Sequence, residues 1–503
     1  MSEERPVAGT EPSPPAPDPR RWVLLAVVVT AQLLVVLDAT VINIALPSAQ
    51  QALHISDADR QWGITAYTLT FGGLLLLGGR IADYAGRKRV FLIGLAGFAI
   101  ASALSGAATT AWMLFAGRGL QGVFGALLAP AALSLITVTF TEAGERAKAF
   151  GVFGAVSGAG AAAGALVGGL LTEYASWRWC LFFNVPVVLV AFAVAVPNLR
   201  ESRIEGRAHY DVTGALLGTA GLIALVYGFT TAAGRGWASG WTLGSIGAAL
   251  VLLVAFVVVE TRVRTPLLPL RVVLDRDRGV AYLTSVLLGI GSMGMFLFMM
   301  YYVQQTLGYT ALQAGIIFLP FPVCVVLTAT QTAKLLPRFG ARALMTTGAA
   351  LSAVAVLALT LLEPDSSYFG LILPVLVVMS VGMGLVYTPM NNVALSGIDF
   401  ADAGVASALV NTSQQIGGSL GVALLNTIYT TSVATYLATT PNPTAATMHG
   451  YHQAFAVSAA LLAASAVLVF AFVRALPKTA VNPSRGHATR TTPSGVGSES
   501  GHR

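Results

Sequence analysis

Charge is scarce in this chain of 503 residues: only 10% are Asp, Glu, Lys or Arg. A soluble protein of that length carries about a quarter of its residues charged. A large water-facing exterior is therefore excluded, and with it a soluble multidomain enzyme. Cysteine is nearly missing. Cys180 and Cys324 lie far apart in apolar runs, which excludes a disulfide framework and a cysteine metal cluster. The net charge of +7 does not gather into a basic patch with interleaved aromatics, so nucleic acid is excluded as a partner. There is no phosphate-binding glycine loop of the Walker type, which argues against a nucleotide-driven pump. The six histidines are scattered, no metal-ligand cluster or nucleophile constellation stands out, and neither metal nor cofactor is expected.

What is abundant is apolar sequence, at 55% of residues. A helix needs about 20 apolar residues to cross the ~30 Å hydrocarbon core of a bilayer. Fourteen runs meet that need: 22–47, 59–79, 90–108, 112–139, 149–171, 179–198, 212–232, 241–260, 279–303, 313–333, 343–362, 368–393, 404–431 and 452–473. In lipid a segment must satisfy its own backbone hydrogen bonds, so each run is predicted to be a helix. The predicted class is an all-α integral membrane protein.

The basic residues orient it. If both chain ends lie inside, 25 of the 29 Lys and Arg fall in inner segments, and Arg60, Arg178 and Arg235 fall in outer ones. That asymmetry is the positive-inside pattern, and it predicts cytoplasmic termini in a cell membrane. Residues 1–21 and 474–503 are rich in Pro, Ser, Thr and Gly and read as disordered cytoplasmic tails.

The sequence also repeats. The loop after the second run contains Arg80, Gly86 and Lys88. The loop after the tenth contains Lys334, Gly340 and Arg342, each 254 positions later. This predicts two related six-helix bundles, 22–198 and 279–473, with two additional helices over 212–260. Repeats of that kind belong to transporters that rock two bundles about a central site.

Several motifs carry a resemblance. The loop Gly79-Arg-Ile-Ala-Asp-Tyr-Ala-Gly-Arg-Lys-Arg89 resembles the signature of the major facilitator superfamily. The first span ends Leu37-Asp-Ala-Thr-Val-Ile-Asn-Ile-Ala-Leu-Pro47, and the fourth holds Arg118-Gly-Leu-Gln-Gly122. The fifth is glycine-rich, followed by Phe183-Asn-Val-Pro186, and the thirteenth holds Asn411-Thr-Ser-Gln-Gln-Ile-Gly-Gly418. Together these resemble the fourteen-span drug:proton antiporters of the actinobacterial antibiotic-resistance type, over roughly residues 20–475.

Asp38 is the acid that stands deep within a span. A charged carboxylate there is costly, and its low-dielectric surroundings favour taking up a proton. That suits a proton carrier; the competing reading is a structural carboxylate held permanently by a polar neighbour. Arg118 is a cation inside a span. The resemblance links it to proton transfer, with Gln121 in the same network; otherwise it is a structural arginine anchoring carbonyls. Gly79, Asp83, Gly86 and Arg87 belong to the loop that the resemblance reads as a conformational latch. There Asp83 is expected to meet the N-terminal end of the thirteenth span, where the helix dipole favours an anion. Gly158, Gly160, Gly164, Gly168 and Gly169 form the antiporter motif by resemblance, although Ala161 and Ala165 replace its two usual prolines. Tyr67, Met295, Phe298, Tyr301, Gln304, Asn391, Asn411 and Gln415 are candidates to line a substrate cavity.

The resemblance implies secondary active efflux of an antibiotic or other drug in exchange for protons, conferring resistance, by a monomer needing no cofactor. The lack of an acid in the twelfth span disfavours a divalent cation. A neutral or monovalent cationic amphipathic compound fits best, and a puromycin-like drug in a self-resistant producer is one candidate. A proton-coupled importer or uniporter of a small metabolite on the same scaffold is the alternative.

Overall fold

The computed structural model describes residues 20–140, 142–203, 211–263, 266–268, 270–396 and 403–474. Most of both expected tails therefore lies outside the described residues. The described chain is helical throughout, with no strand. The helices are α1 (Arg21–Ala52), α2 (Trp62–Ala85), α3 (Arg87–Gly106), α4 (Ala111–Thr139), α5 (Ala143–Tyr174), α6 (Trp179–Phe182), α7 (Asn184–Asn198), α8 (Val212–Arg235), α9 (Gly240–Arg262), α10 (Leu270–Val273), α11 (Arg276–Tyr301), α12 (Ala311–Phe318), α13 (Pro320–Ala358), α14 (Leu373–Leu395), α15 (Ala403–Thr439) and α16 (Pro443–Phe472).

Local chemistry fixes several starts. The side chains of Thr110, Asp211, Ser239, Asp275 and Asn442 each accept a hydrogen bond from a backbone N–H of the first turn that follows. Thr310 and Gln313 form a reciprocal capping box at α12. A single π-turn, Tyr302–Thr306, extends α11.

Twelve stretches are long and apolar enough to cross a membrane, against the fourteen runs read from sequence. Two features account for the difference. The stretch Ala311–Leu361 has 51 residues, roughly 75 Å of helix, more than twice a bilayer core. Its continuity is only apparent, because Gly340 breaks α13 with φ +77° and ψ 161°. The other feature is α5, 32 residues long, some of whose side chains lie outside the described residues, so the twelve do not include it. Gly86, paired with Gly340 by the 254-residue offset, also has positive φ, at +109°. Both loops thus turn on a residue without a Cβ.

Helices α1 to α7 pack among themselves, and α11 to α16 do likewise. The pair α8 and α9 packs together and touches α2 on one side and α15 on the other. We call the end carrying the Gly79–Arg89 loop the basic end and the opposite one the far end. The two halves are laced together at the far end. Gln304 Nε2 donates to the Ile44 carbonyl at 3.1 Å, and the Leu312 N–H donates to Glu173 at 3.0 Å. The hydroxyls of Thr68 and Ser419 lie 2.6 Å apart.

Helix α5 records the same asymmetry. A Cβ placed on Gly151 or Gly154, toward the basic end, would meet nothing within 4 Å. One on Gly168 would press on Val41 of α1 at 3.1 Å, and one on Gly169 on the Leu312 backbone at 2.6 Å. The far-end portion of α5 therefore packs against both halves of the molecule, at the end where the bonds between halves lie.

Candidate functional site

Asp38 sits near the middle of α1, with 1% of its surface exposed, beside Arg118 and Gln121 of α4, each at 0%. Spacing explains the pairing: residues three apart on a helix share a face. Arg118 Nη1 donates to Asp38 Oδ2 at 2.5 Å and to Gln121 Oε1 at 2.9 Å, while its Nε donates to the Gly63 carbonyl at 3.1 Å. The other carboxylate oxygen, Oδ1, accepts from Gln121 Nε2 and from Asn184 Nδ2, both at 2.9 Å. Those two amides also donate to the Ser102 hydroxyl, at 2.7 and 3.2 Å. Five side chains from α1, α3, α4 and α7 thus close one polar collar inside an apolar body.

Two glycines let the collar close. A Cβ on Gly122 would strike α2 at the Tyr67 carbonyl, and one on Gly117 would strike Ser105 of α3. The aromatic face of Tyr67 covers the guanidinium, its centroid 4.6 Å from Arg118 Cζ. A cation over a ring in a desolvated site is stabilised by up to about 2 kcal/mol.

The structure therefore brings Asp38, Arg118 and Gln121 together and adds two residues to which sequence reasoning gave no role. Asn184 lay within a motif, and its amide is the signal that was available. Ser102 carried no signal beyond being a small polar residue in an apolar run.

Other predicted site residues fall elsewhere. Tyr67 was expected in a substrate cavity; it is buried under Arg118 instead. Met295, Phe298 and Tyr301 are also wholly buried, in the far-end packing of α11, and line no open cavity here. Gln304 is spent on the far-end bond to Ile44. Asn391 and Asn411 are exposed in the basic-end portions of α14 and α15, and Gln415 is half-buried.

The loop residues make their described contacts within the first half. Asp83 Oδ1 accepts from Arg87 at 2.9 Å and from the Ser134 hydroxyl at 3.2 Å, and Arg87 Nε donates to Ser134 at 2.6 Å. These partners belong to α2, α3 and α4; the N-terminal end of the thirteenth span, which Asp83 was expected to meet, has most of its side chains outside the described residues. A Cβ on Gly79 would rest on Pro130 of α4 at 3.6 Å, and the left-handed turn at Gly86 packs against the Glu201 carboxylate. That carboxylate accepts from the backbone N–H groups of Lys88 and Arg89, both at 3.1 Å, at the start of α3. An anion there meets the positive end of the helix dipole.

Of the motif glycines, Gly160 and Gly164 pack against Leu33, Val36, Leu37 and Thr40 of α1, alongside Gly168 and Gly169 described above. The surroundings of Gly158 and Ala161 lie outside the described residues. Without its prolines, α5 runs as one unbroken helix.

Known proteins share this frame. The chain is 48% identical over 486 residues to the puromycin resistance protein pur8 of Streptomyces alboniger, covering 95% of this chain and 96% of that one. It is 38% identical over 476 residues to the cephamycin export protein CmcT of Amycolatopsis lactamdurans, with 94% of each covered. Among solved structures, a bacterial homolog of the human lysosomal transporter Spinster superposes with a TM-score of 0.64 at 17% identity, over 90% of this chain and 97% of that one. The sequence profile of the Major Facilitator Superfamily matches residues 28–422, and the chain belongs to that superfamily of multi-pass membrane transporters.

Proposed function

We propose that this chain is a secondary active exporter that exchanges protons for an antibiotic or other amphipathic drug, neutral or singly cationic. It would confer resistance on its host. The single observation that carries the mechanism is the buried Asp38–Arg118 pair. With Asp38 ionised, the pair has no net charge. A proton on Asp38 cancels the carboxylate and leaves the guanidinium as a net positive charge in the low-dielectric core. A cationic drug and a proton then exclude one another by charge, which is the requirement of exchange.

Protonation also weakens the Arg118–Asp38 bond, while Gln121 Oε1 and the Gly63 carbonyl remain to hold Arg118. The pair thereby links proton binding to the relative position of α1 and α4. Because Asp38 needs no bound group beyond the proton, the reading requires no cofactor. A monomer suffices, since the collar is built within one chain. On the positive-inside pattern the basic end lies in the cytoplasm, on the side of the drug's source, and the far end, where the two halves are laced together, faces outward. The exposed amides of Asn391 and Asn411 suit a water-filled entrance better than lipid, and they are our candidates for drug contact, with Gln415 deeper on α15.

The relatives' names support an antibiotic as cargo, and the first favours a puromycin-like aminonucleoside. The test is a panel of inhibitory concentrations in a drug-sensitive host, with and without the gene and with and without a protonophore. The exporter reading expects protection that the protonophore removes. Greater drug accumulation on expression would instead indicate import.

A further inference from the structure

A second arginine is buried as completely as Arg118, and the exchange chemistry does not use it. Arg60 lies in the turn before α2 at the far end, with 1% of its surface exposed. From sequence it counted only as an outer-loop charge. In the fold it crosses from the first half into the second. Its guanidinium carbon lies 4.2 Å from the ring centre of Tyr301, 4.8 Å from Tyr429 and 5.5 Å from Phe298. Its Nε donates to Asn426 Oδ1 at 2.9 Å. All four partners belong to α11 and α15.

The contacts close a circuit that crosses the seam repeatedly. Asn426 Nδ2 donates back to the Asp57 carbonyl at 2.8 Å. Gln50 Nε2 donates to Asp57 Oδ1 at 2.7 Å, and Gln50 Oε1 accepts from the Tyr301 hydroxyl at 2.6 Å. Tyr301 in turn lies under Arg60. Asp57 contributes little as a counter-ion: it stands 3.6 Å from Arg60 Nη1 with its side chain 65% exposed. The rings hold this cation more than any anion does. Nη2 has no hydrogen-bond partner although it is buried. A guanidinium with an unmet donor is costly to bury, so Arg60 gains hydration if it swings out into water.

We propose that Arg60 is the gating residue of the far end, a positioning residue for transport whose withdrawal from the Tyr301, Tyr429 and Phe298 cage opens the molecule outward. The proposal rests on the exporter reading for its purpose, but its test does not depend on transport. The guanidinium is one of the bridges that hold the far end closed, beside the Gln304–Ile44, Leu312–Glu173 and Thr68–Ser419 contacts. Loss of the cage cation therefore shifts the population toward a far-end-open form, without drug and without a proton gradient.

The test uses the full chain with Cys324 replaced by Ser and the exposed far-end residues Ala52 and Ala438 replaced by Cys and spin-labelled. The distance between the labels is measured in lipid nanodiscs. Arg60→Ala is expected to raise the long-distance population by about tenfold over its parent. Arg60→Lys keeps the charge but not the planar group, and should fall between the two; it also guards against an Ala variant that does not fold. Unchanged distances in the folded variants, with only a lower melting temperature, would make Arg60 a packing residue and overturn the proposal. A distance shift in a protein that moves no drug would leave the gate standing and remove the exporter reading.

Discussion

The two buried arginines solve the same problem in opposite ways. Arg118 is paired with a carboxylate, inside one half, with hydrogen bonds on Nη1 and Nε. Arg60 is enclosed by rings, across the seam between halves, with one donor left unmet. In the proposed exchange, a cation matched to a carboxylate answers to protons through its partner. A cation matched to aromatic faces is indifferent to pH and answers to geometry, because the cage exists only while the halves touch. On the proposed reading, the pair of sites divides the work of an exchanger into a chemical input and a mechanical output.

The sharpest way to break this contrast is Asp38→Asn. The amide cannot ionise, and it leaves Arg118 a buried charge without its counter-ion, a change that costs about 3–5 kcal/mol where a buried pair is broken. Drug protection should fall to the level of cells lacking the gene, read as inhibitory concentration, while size-exclusion still shows inserted protein. Protection that persists and still responds to a protonophore would remove Asp38 from coupling.

Arg118→Lys should come next. A single ammonium cannot reproduce the three bonds to Asp38, Gln121 and Gly63, so uptake into inverted vesicles driven by a pH gradient should be mostly lost. Gly169→Ala tests the mechanical side. Its Cβ would lie 2.6 Å from the Leu312 backbone, and overpacking of that kind costs about 1–3 kcal/mol. The far end should open more often, visible as greater labelling of outer cysteines. Ser102→Ala should cost about 1 kcal/mol of thermal stability, since both amides that it receives keep Asp38 as acceptor. Tyr67→Phe should matter least. The hydroxyl is buried without a partner, so its removal should leave transport intact, whereas Tyr67→Ala strips the ring from Arg118 and should not.

The legibility of the molecule follows the same division. Asp38, Arg118 and Gln121 were readable because a charge in an apolar span is expensive and needs a reason within the span. Arg60 was not, because an arginine between two spans looks like ordinary topological charge, and its burial depends on α11 and α15 arriving from more than 200 residues away. Met295, Phe298 and Tyr301, buried in the far-end packing, were hard to place for a related reason. Aromatic and thioether side chains suit a drug cavity and a tight gate equally well, and nothing in a one-dimensional pattern separates the two. Gly86 and Gly340 were legible as a repeated pair, yet only the structure shows that one turn is pinned by Glu201 while the other stands free. The break at Gly340 also separates the two runs read from sequence into two helices.

The inserted pair α8 and α9 carries one more consequence. Consecutive residues of α8 grasp opposite halves: Thr230 Oγ1 accepts from Nε2 of Gln61, just before α2, and the Phe229 carbonyl accepts from the Thr427 hydroxyl of α15. When the far end parts, one of these handholds must slip or the hairpin must travel with a single side. On either course the hairpin stays against one flank of the molecule, its other surface carrying exposed apolar side chains such as Leu250, Val251 and Val254.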